Sequence, residues 1–126
     1  LLGRLQQELG MSILLITHDL GVVAEFCRYV YVMYAGRIVE HAPVDELFAN
    51  PVHPYTRGLI ASRPRISEQI EWLPTIPGMV LSPDQRGAGC YYLERCERRL
   101  DQCRRELPPL VETSAQHFTA CWKPYL

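Results

Sequence analysis

The chain has 126 residues, which suits one domain or two small ones. It is 48% hydrophobic and 21% charged, as in soluble globular proteins, and its net charge of −1 provides no general attraction for nucleic acid or an anionic membrane. No apolar run approaches the ~18 residues of a membrane span, and we expect no export signal, since no basic start leads into an apolar stretch. Because the sequence begins with Leu1 rather than Met, we expect a truncated or partial chain.

The first residues predict a helix, a strand and a second helix. Residues 4–9 read as the end of a helix that Gly10 closes in a left-handed cap. Residues 12–17, SILLIT, form a short apolar run that predicts a strand buried on both faces, as in a parallel sheet. Asp19 can then cap a helix reaching about Cys27. Its apolar stripe would consist of Leu20, Val23, Ala24 and Cys27, which makes Cys27 a core thiol.

A hairpin and two short helices are predicted next. Residues 29–34, YVYVMY, and residues 37–41, RIVEH, have strand propensity and flank the turn signal Ala35-Gly36. A proline followed by two acids predicts a helix over residues 43–49, and another proline opens a helix over 54–62.

The chain changes character after that helix. Residues 63–89 are rich in proline and glycine and predict an extended, turn-rich segment, with a subdomain boundary near residue 64. The cysteine-rich part that follows shows little hydrophobic periodicity. A region with so little apolar content usually needs a covalent or metal staple.

His18 is the first candidate functional residue. It follows the predicted buried strand, and ligands of open α/β sheets bind at the carboxyl ends of the strands. A neutral imidazole there can donate to a phosphate oxygen or position an attacking water. The alternative is a histidine that only satisfies backbone groups at the strand end, and spacing alone leaves both open.

Four clustered cysteines are the second candidate site. They are spaced Cys90-x5-Cys96-x6-Cys103-x17-Cys121. Four thiolates can hold zinc or an iron–sulfur cluster, but free thiols and disulfides also fit this spacing. His117 is a further candidate ligand. Six nearby arginines could offset an anionic site or form a solvated or RNA-facing patch.

The segment from ELGMSILLITHDL to NPVHPYTRGLIAS resembles the region after the Walker B motif in ABC-transporter ATPases, above all those of oligopeptide, dipeptide and nickel importers. THDL resembles the switch loop of these ATPases, and VMYAGRIVEHAP resembles the strand pair and turn that follow it. NPVHPYTRGLIAS is similar to a segment characteristic of the peptide-importer branch. The resemblance implies an α/β fold: the C-terminal part of an ABC-type nucleotide-binding domain over residues 1–63, then a small irregular Cys-rich extension over residues 64–126. It also implies that His18 is the catalytic switch histidine that contacts the γ-phosphate of ATP.

The segments GCYYLERCERRLDQCRRELPPL and HFTAC resemble the C-terminal extension of the same importer ATPases. The resemblance implies that Cys90, Cys96, Cys103 and Cys121 bind a [4Fe–4S] cluster, with zinc as the alternative metal. Ala88 and Glu97 depart from the family pattern, which usually has proline at both positions.

The implied function is that of the energy-coupling ATPase subunit of a peptide-type importer, which uses ATP and Mg²⁺ in its full-length form. The implied partners are membrane permease subunits, a second ATPase subunit and, indirectly, a substrate-binding protein, at the cytoplasmic face of the plasma (inner) membrane and without nucleic acid. The only lysine is Lys123, so there is no Walker A loop, and the signature and Walker B motifs are also missing. We therefore expect the isolated chain to be inactive.

Two alternatives belong to other classes. The chain could be a stand-alone iron–sulfur or zinc module with a redox or regulatory role. It could also be a Cys-rich nucleic-acid-binding module, although the net charge of −1 argues against this.

Overall fold

The computed structural model describes residues 2–62 and 75–126. Its elements in chain order are α1 (Leu2–Leu9), α2 (Leu20–Phe26), β1 (Tyr29–Tyr34), β2 (Arg37–Pro43), α3 (Val44–Ala49), α4 (Pro54–Ala61), 3₁₀ turns at Pro83–Gln85 and Leu93–Arg95, α5 (Gln102–Arg105), β3 (Val111–Ser114) and β4 (His117–Thr119). The mixed helix and strand composition is confirmed. No helix among these residues is both long and apolar enough to cross a membrane. The boundary predicted near residue 64 lies outside the described residues.

The N-terminal part matches the prediction in its helices but not in its strand. Helix α1 ends at Leu9 and Gly10 adopts the positive φ of 62° that its predicted cap requires. Residues 11–17 form no strand, and Leu14 and Ile16 are 88% and 91% exposed. The prediction of a buried strand over residues 12–17 is therefore wrong for this structure. A strand needs a hydrogen-bonding neighbour, and the described residues place none beside it.

The predicted hairpin is present and contains one irregularity. Its turn uses Ala35 and Gly36 with φ of 47° and 79°, the two positive values of the tight hairpin turns that match strand twist. The register shifts beside Val32, which faces Glu40, while Met33 faces Ile38. Strand β2 thus has one extra residue. Val39 and Glu40 are consequently both buried, although alternation would place them on opposite faces.

The hairpin is half of a larger sheet. Four antiparallel strands stand in the order β1-β2-β4-β3, and β4 pairs with β2 through Glu40 opposite Thr119 and His41 opposite Phe118. Strands β3 and β4 were not expected, since each has only a few residues. The sheet therefore joins residues from the beginning and the end of the chain.

The hydrophobic core continues across the same junction. It consists of Val32, Tyr34, Val39, Ala42, Leu47 and Tyr92, with Tyr55, Cys90 and Cys96 among the partly buried neighbours. The rings of Tyr34, Tyr55 and Tyr92 lie 4.7 to 5.6 Å apart. Tyr92, from the cysteine-rich part, thus packs against the hairpin. Core packing holds the cysteine-rich part on the sheet.

Candidate functional site

His18 stands on the surface between two local turns. The backbone N–H of Asp19 donates to Thr17 Oγ1 at 3.0 Å. Asp19 Oδ1 accepts from the N–H of Gly21 at 2.8 Å and of Val22 at 3.2 Å, so Asp19 caps α2 as predicted. These turns fix the backbone around His18 and leave its side chain exposed. An exposed imidazole in this position can contact a phosphate group that approaches from solvent.

The four cysteines of the last third of the chain line one small cavity. Its walls contain Cys90, Cys96, Cys103 and Cys121, together with His53, Arg98 and Trp122. Cys103 is buried and the other three are partly buried. Cys27 lies apart from them at the end of α2. All five cysteines are free thiols, so no disulfide joins them.

Burial sets the acidity of these thiols. It raises the pKa of Cys90 and Cys96, and it raises the pKa of Cys121 to about 11. The neighbouring cysteines add to each shift, because one thiolate disfavours the next. Without a compensating cation the thiols of Cys90, Cys96 and Cys121 stay protonated near neutral pH. A metal would have to displace their protons on binding.

Each of the four sulfurs is also near a backbone N–H donor. The donors are Tyr92 and Leu93 for Cys90, Arg98 for Cys96, Leu100 for Cys103 at 3.4 Å, and Lys123 for Cys121. Such bonds stabilise thiolates and are among the factors that tune bound iron–sulfur clusters. The backbone therefore presents hydrogen-bond donors to all four sulfur atoms.

The cysteines converge without forming a complete metal site. Within residues 2–62 and 75–126, no group of three or more His, Cys, Asp or Glu residues is placed to hold a metal ion. His117, a candidate replacement ligand, does not line the cavity. Its Nε2 instead lies 2.7 Å from Glu40 Oε1.

Arg98 is the arginine whose side chain lines the cysteine cavity. Its positive charge slightly opposes the burial that raises the pKa of Cys96. Its Nη2 donates to the carbonyl of Pro124 at 3.3 Å. Its buried Nε has no hydrogen-bond partner in the part of the chain that the structure describes. A partly buried guanidinium with an unused donor is suited to an anionic occupant.

A buried carboxylate behind the cavity was not anticipated. Glu40 is fully buried and accepts from the N–H of Val52 at 2.8 Å and of His53 at 2.9 Å. Its third partner is the buried His117 of β4. These four residues form the Glu40 network. The β2 bulge turns the Glu40 side chain inward, so the alternation of a regular strand does not predict its burial. The one signal in the sequence is an acidic residue next to apolar strand residues.

Contacts also fasten the C-terminal residues. The guanidinium carbon of Arg57 lies 4.3 Å from the ring centre of Tyr125, and that of Arg98 lies 4.0 Å from it. The N–H of Tyr125 donates to the carbonyl of Val52 at 2.9 Å. With the packing of Tyr55 on Tyr92, these contacts attach the cysteine-rich part to helix α4.

Comparison with known proteins assigns the chain to a family. The sequence model described as "Oligopeptide/dipeptide transporter, C-terminal region" matches residues 39–103, just over half of the chain. The chain belongs to this family. A "Probable peptide ABC transporter ATP-binding protein" of Sinorhizobium fredii is 49% identical over 120 residues, which are 94% of the chain and 36% of that protein. The oligopeptide transport ATP-binding protein AppD of Bacillus subtilis is 44% identical over 122 residues, 97% of the chain and 37% of its own length.

The match to the oligopeptide/dipeptide transporter C-terminal region includes residues on both sides of the cavity. Glu40, His53 and three site cysteines fall within residues 39–103, whereas His18 and Cys121 lie outside them. Because the match begins far ahead of Cys90, the alternative of a stand-alone iron–sulfur or zinc module is not supported. The chain spans a little over a third of the length of the curated relatives it matches.

Proposed function

We propose that the chain forms the C-terminal region of the ATP-binding subunit of a peptide-type ABC importer. The observation that carries this proposal is the identity of 44% to 49% with two such ATP-binding proteins over more than nine-tenths of the chain. In the complete subunit, ATP and Mg²⁺ would bind to the parts that supply the phosphate loop and the magnesium ligands.

The exposed residues near the N-terminus support this assignment. Residues 11–17 present large apolar side chains to solvent, which a strand of a parallel sheet would bury. Once neighbouring strands cover this run, His18 would stand at the carboxyl end of a sheet strand. We assign His18 as the residue that contacts the γ-phosphate and positions the attacking water, with its backbone held by Thr17 and Asp19.

The proposed partners are those of an importer. Two ATP-binding subunits would close on ATP and transmit the motion to membrane permease subunits, with the subunit bound at the cytoplasmic face of the membrane. A separate substrate-binding protein would deliver the peptide. The division into an ATPase part over residues 1–63 and an extension over residues 64–126 is part of the same proposal.

ATP hydrolysis by the complete subunit with its permease tests the role of His18. His18→Ala should lower the hydrolysis rate at least about a hundredfold, because a positioned group at the reacting phosphate is removed. His41→Gln, a change of a histidine in the sheet, should leave the rate close to that of the unchanged protein. Normal turnover by His18→Ala would refute the assignment.

We further propose that Cys90, Cys96, Cys103 and Cys121 hold a [4Fe–4S] cluster. Three observations support it: all four thiols line one cavity, each sulfur has a backbone N–H donor, and Arg98 brings a positive charge to the cavity wall. A zinc ion needs four sulfurs at about 2.3 Å from a single point. The thiolates of a cluster instead each bind a different iron around the cavity that the four thiols line, and zinc is the alternative metal.

The cluster would act as a staple for a region with little apolar content. When bound, it supplies four iron–thiolate bonds to residues that hydrogen bonds and packing alone hold together.

Iron, zinc and acid-labile sulfide per chain, measured on anaerobically purified protein, test this assignment. About four irons and four sulfides per chain are expected. One zinc without sulfide, or no metal at all, would refute the cluster, although the ATPase assignment rests on other observations.

A further inference from the structure

His53 stands between the sheet and the cysteine cavity. It is 2% exposed and lines the cavity with the four cysteines. Its ring centre lies 5.8 Å from that of Tyr92, a core residue. A buried polar ring in this position must have hydrogen-bond partners, and those partners define what it does.

The two ring nitrogens of His53 have different partners. Nδ1 accepts from the N–H of Tyr55 at 3.0 Å, which caps helix α4. Nε2 therefore carries the proton and faces the backbone carbonyl of Ala120, and His53 and Ala120 both line a second small cavity. Burial lowers the pKa of His53 to about 4, so the ring is neutral near pH 7 and keeps this tautomer. Ala120 is covalently joined to Cys121, the ligand furthest along the chain from the other three.

The backbone of His53 is held just as firmly as its ring. Its N–H donates to Glu40 Oε2 at 2.9 Å, and Glu40 Oε1 lies 2.7 Å from His117 Nε2 on β4. The N–H of Ala120 completes the connection by donating to the carbonyl of Val39 at 2.8 Å. The Glu40 network therefore fixes both the loop that carries His53 and the strand that leads to Cys121.

We propose that His53 is a positioning residue of the cysteine site: by holding the Ala120 carbonyl it places Cys121 against Cys90, Cys96 and Cys103. A ligand separated from its nearest partner by seventeen residues needs such a guide, since loop closure alone leaves its position undetermined. The inference builds on the proposed cysteine site, but the placement of Cys121 can be measured without any metal.

The test is thiol alkylation on metal-free, reduced protein expressed from its complete coding sequence. Mass spectrometry of each cysteine peptide gives its separate rate with N-ethylmaleimide. His53→Asn keeps a side-chain cap for helix α4 but is too short to reach Ala120. Cys121 should then react about tenfold faster, the factor for one lost buried hydrogen bond, while Cys103 stays at its original rate.

Two further variants make the result specific. His53→Gln restores the reach of the donor and should return Cys121 to slow labelling. His41→Asn changes a histidine on the other face of the sheet and should leave all rates as they were. An unchanged Cys121 rate in His53→Asn would overturn the proposal, and so would equal acceleration at Cys103 and Cys121, because that pattern signals a general loss of packing.

Iron content separates this proposal from the cluster assignment. If the unchanged protein retains iron, His53→Asn should lose it faster than His41→Asn. If the unchanged protein binds no iron, the cluster assignment fails, and the alkylation rates still decide whether His53 positions Cys121.

Discussion

Replacing Glu40 should show how much stability depends on the Glu40 network. Glu40→Ala leaves three donors without an acceptor: two backbone N–H groups and His117 Nε2. Each buried donor left unpaired costs about 1–3 kcal/mol. Water entering the space relieves part of this sum, so we expect a loss of about 3–5 kcal/mol in the free energy of unfolding.

The amide variant divides that loss. Glu40→Gln keeps one acceptor oxygen and turns an NH₂ group toward a donor, which should cost about 2 kcal/mol. Glu112→Gln is the matched control, because Glu112 is exposed and accepts one hydrogen bond, from Gln116 N–H at 2.9 Å. Its effect should stay within about 0.5 kcal/mol.

Urea unfolding at neutral pH, followed by far-ultraviolet circular dichroism, measures these differences, with an unchanged slope showing that the denatured state is unaffected. Hydrogen exchange adds a local measurement, because Ala120 N–H should lose protection in Glu40→Ala as β4 separates from β2. A loss below about 1 kcal/mol for Glu40→Ala would contradict the assigned hydrogen bonds.

The pKa of His53, the space beside Gly89 and the charge of Arg98 give three other predictions. Because the pKa of His53 is lowered in the folded protein, the unfolded chain binds more protons than the folded chain between pH ~6.5 and about 4. The free energy of unfolding should therefore be full above pH ~6.5 and fall by up to about 3 kcal/mol as the pH drops to about 4. His53→Gln should flatten this pH dependence in urea titrations. Gly89→Ala would place a Cβ 2.5 Å from a backbone carbonyl, so it should lower the free energy of unfolding by about 1–3 kcal/mol in the same assay, whereas Gly87→Ala, with no atom within 4 Å, should not. Arg98→Met should lower the reduction potential of the bound cluster in a redox titration, since a positive charge favours the added electron, and an equal shift in the exposed Arg99→Met would contradict this.

Local patterns determined much of the first sixty residues. Asp19 caps α2, Ala35-Gly36 forms the hairpin turn and Pro54 opens α4, because caps and turns depend on residues a few positions apart. Helix α3 begins at Val44 rather than Pro43, since Pro43 remains paired with Tyr29 at the end of the hairpin.

The local sequence of residues 12–17 does not determine whether this run forms a strand. Its apolar residues favour burial, yet they stay exposed where the described residues offer no neighbouring strand. Hydrogen-bonding partners far along a chain decide strand formation, and a local pattern does not contain them.

The sequence by itself determined which residues are the candidates for chemistry: spacing and resemblance defined sites at His18 and at Cys90, Cys96, Cys103 and Cys121. Only the tertiary structure decided how the cysteines are brought together. Glu40 and His53 lie 81 and 68 positions before Cys121, and a one-residue bulge turns Glu40 into the interior. Contacts over such separations depend on how strands pair and cores close, so they appear only in the folded chain.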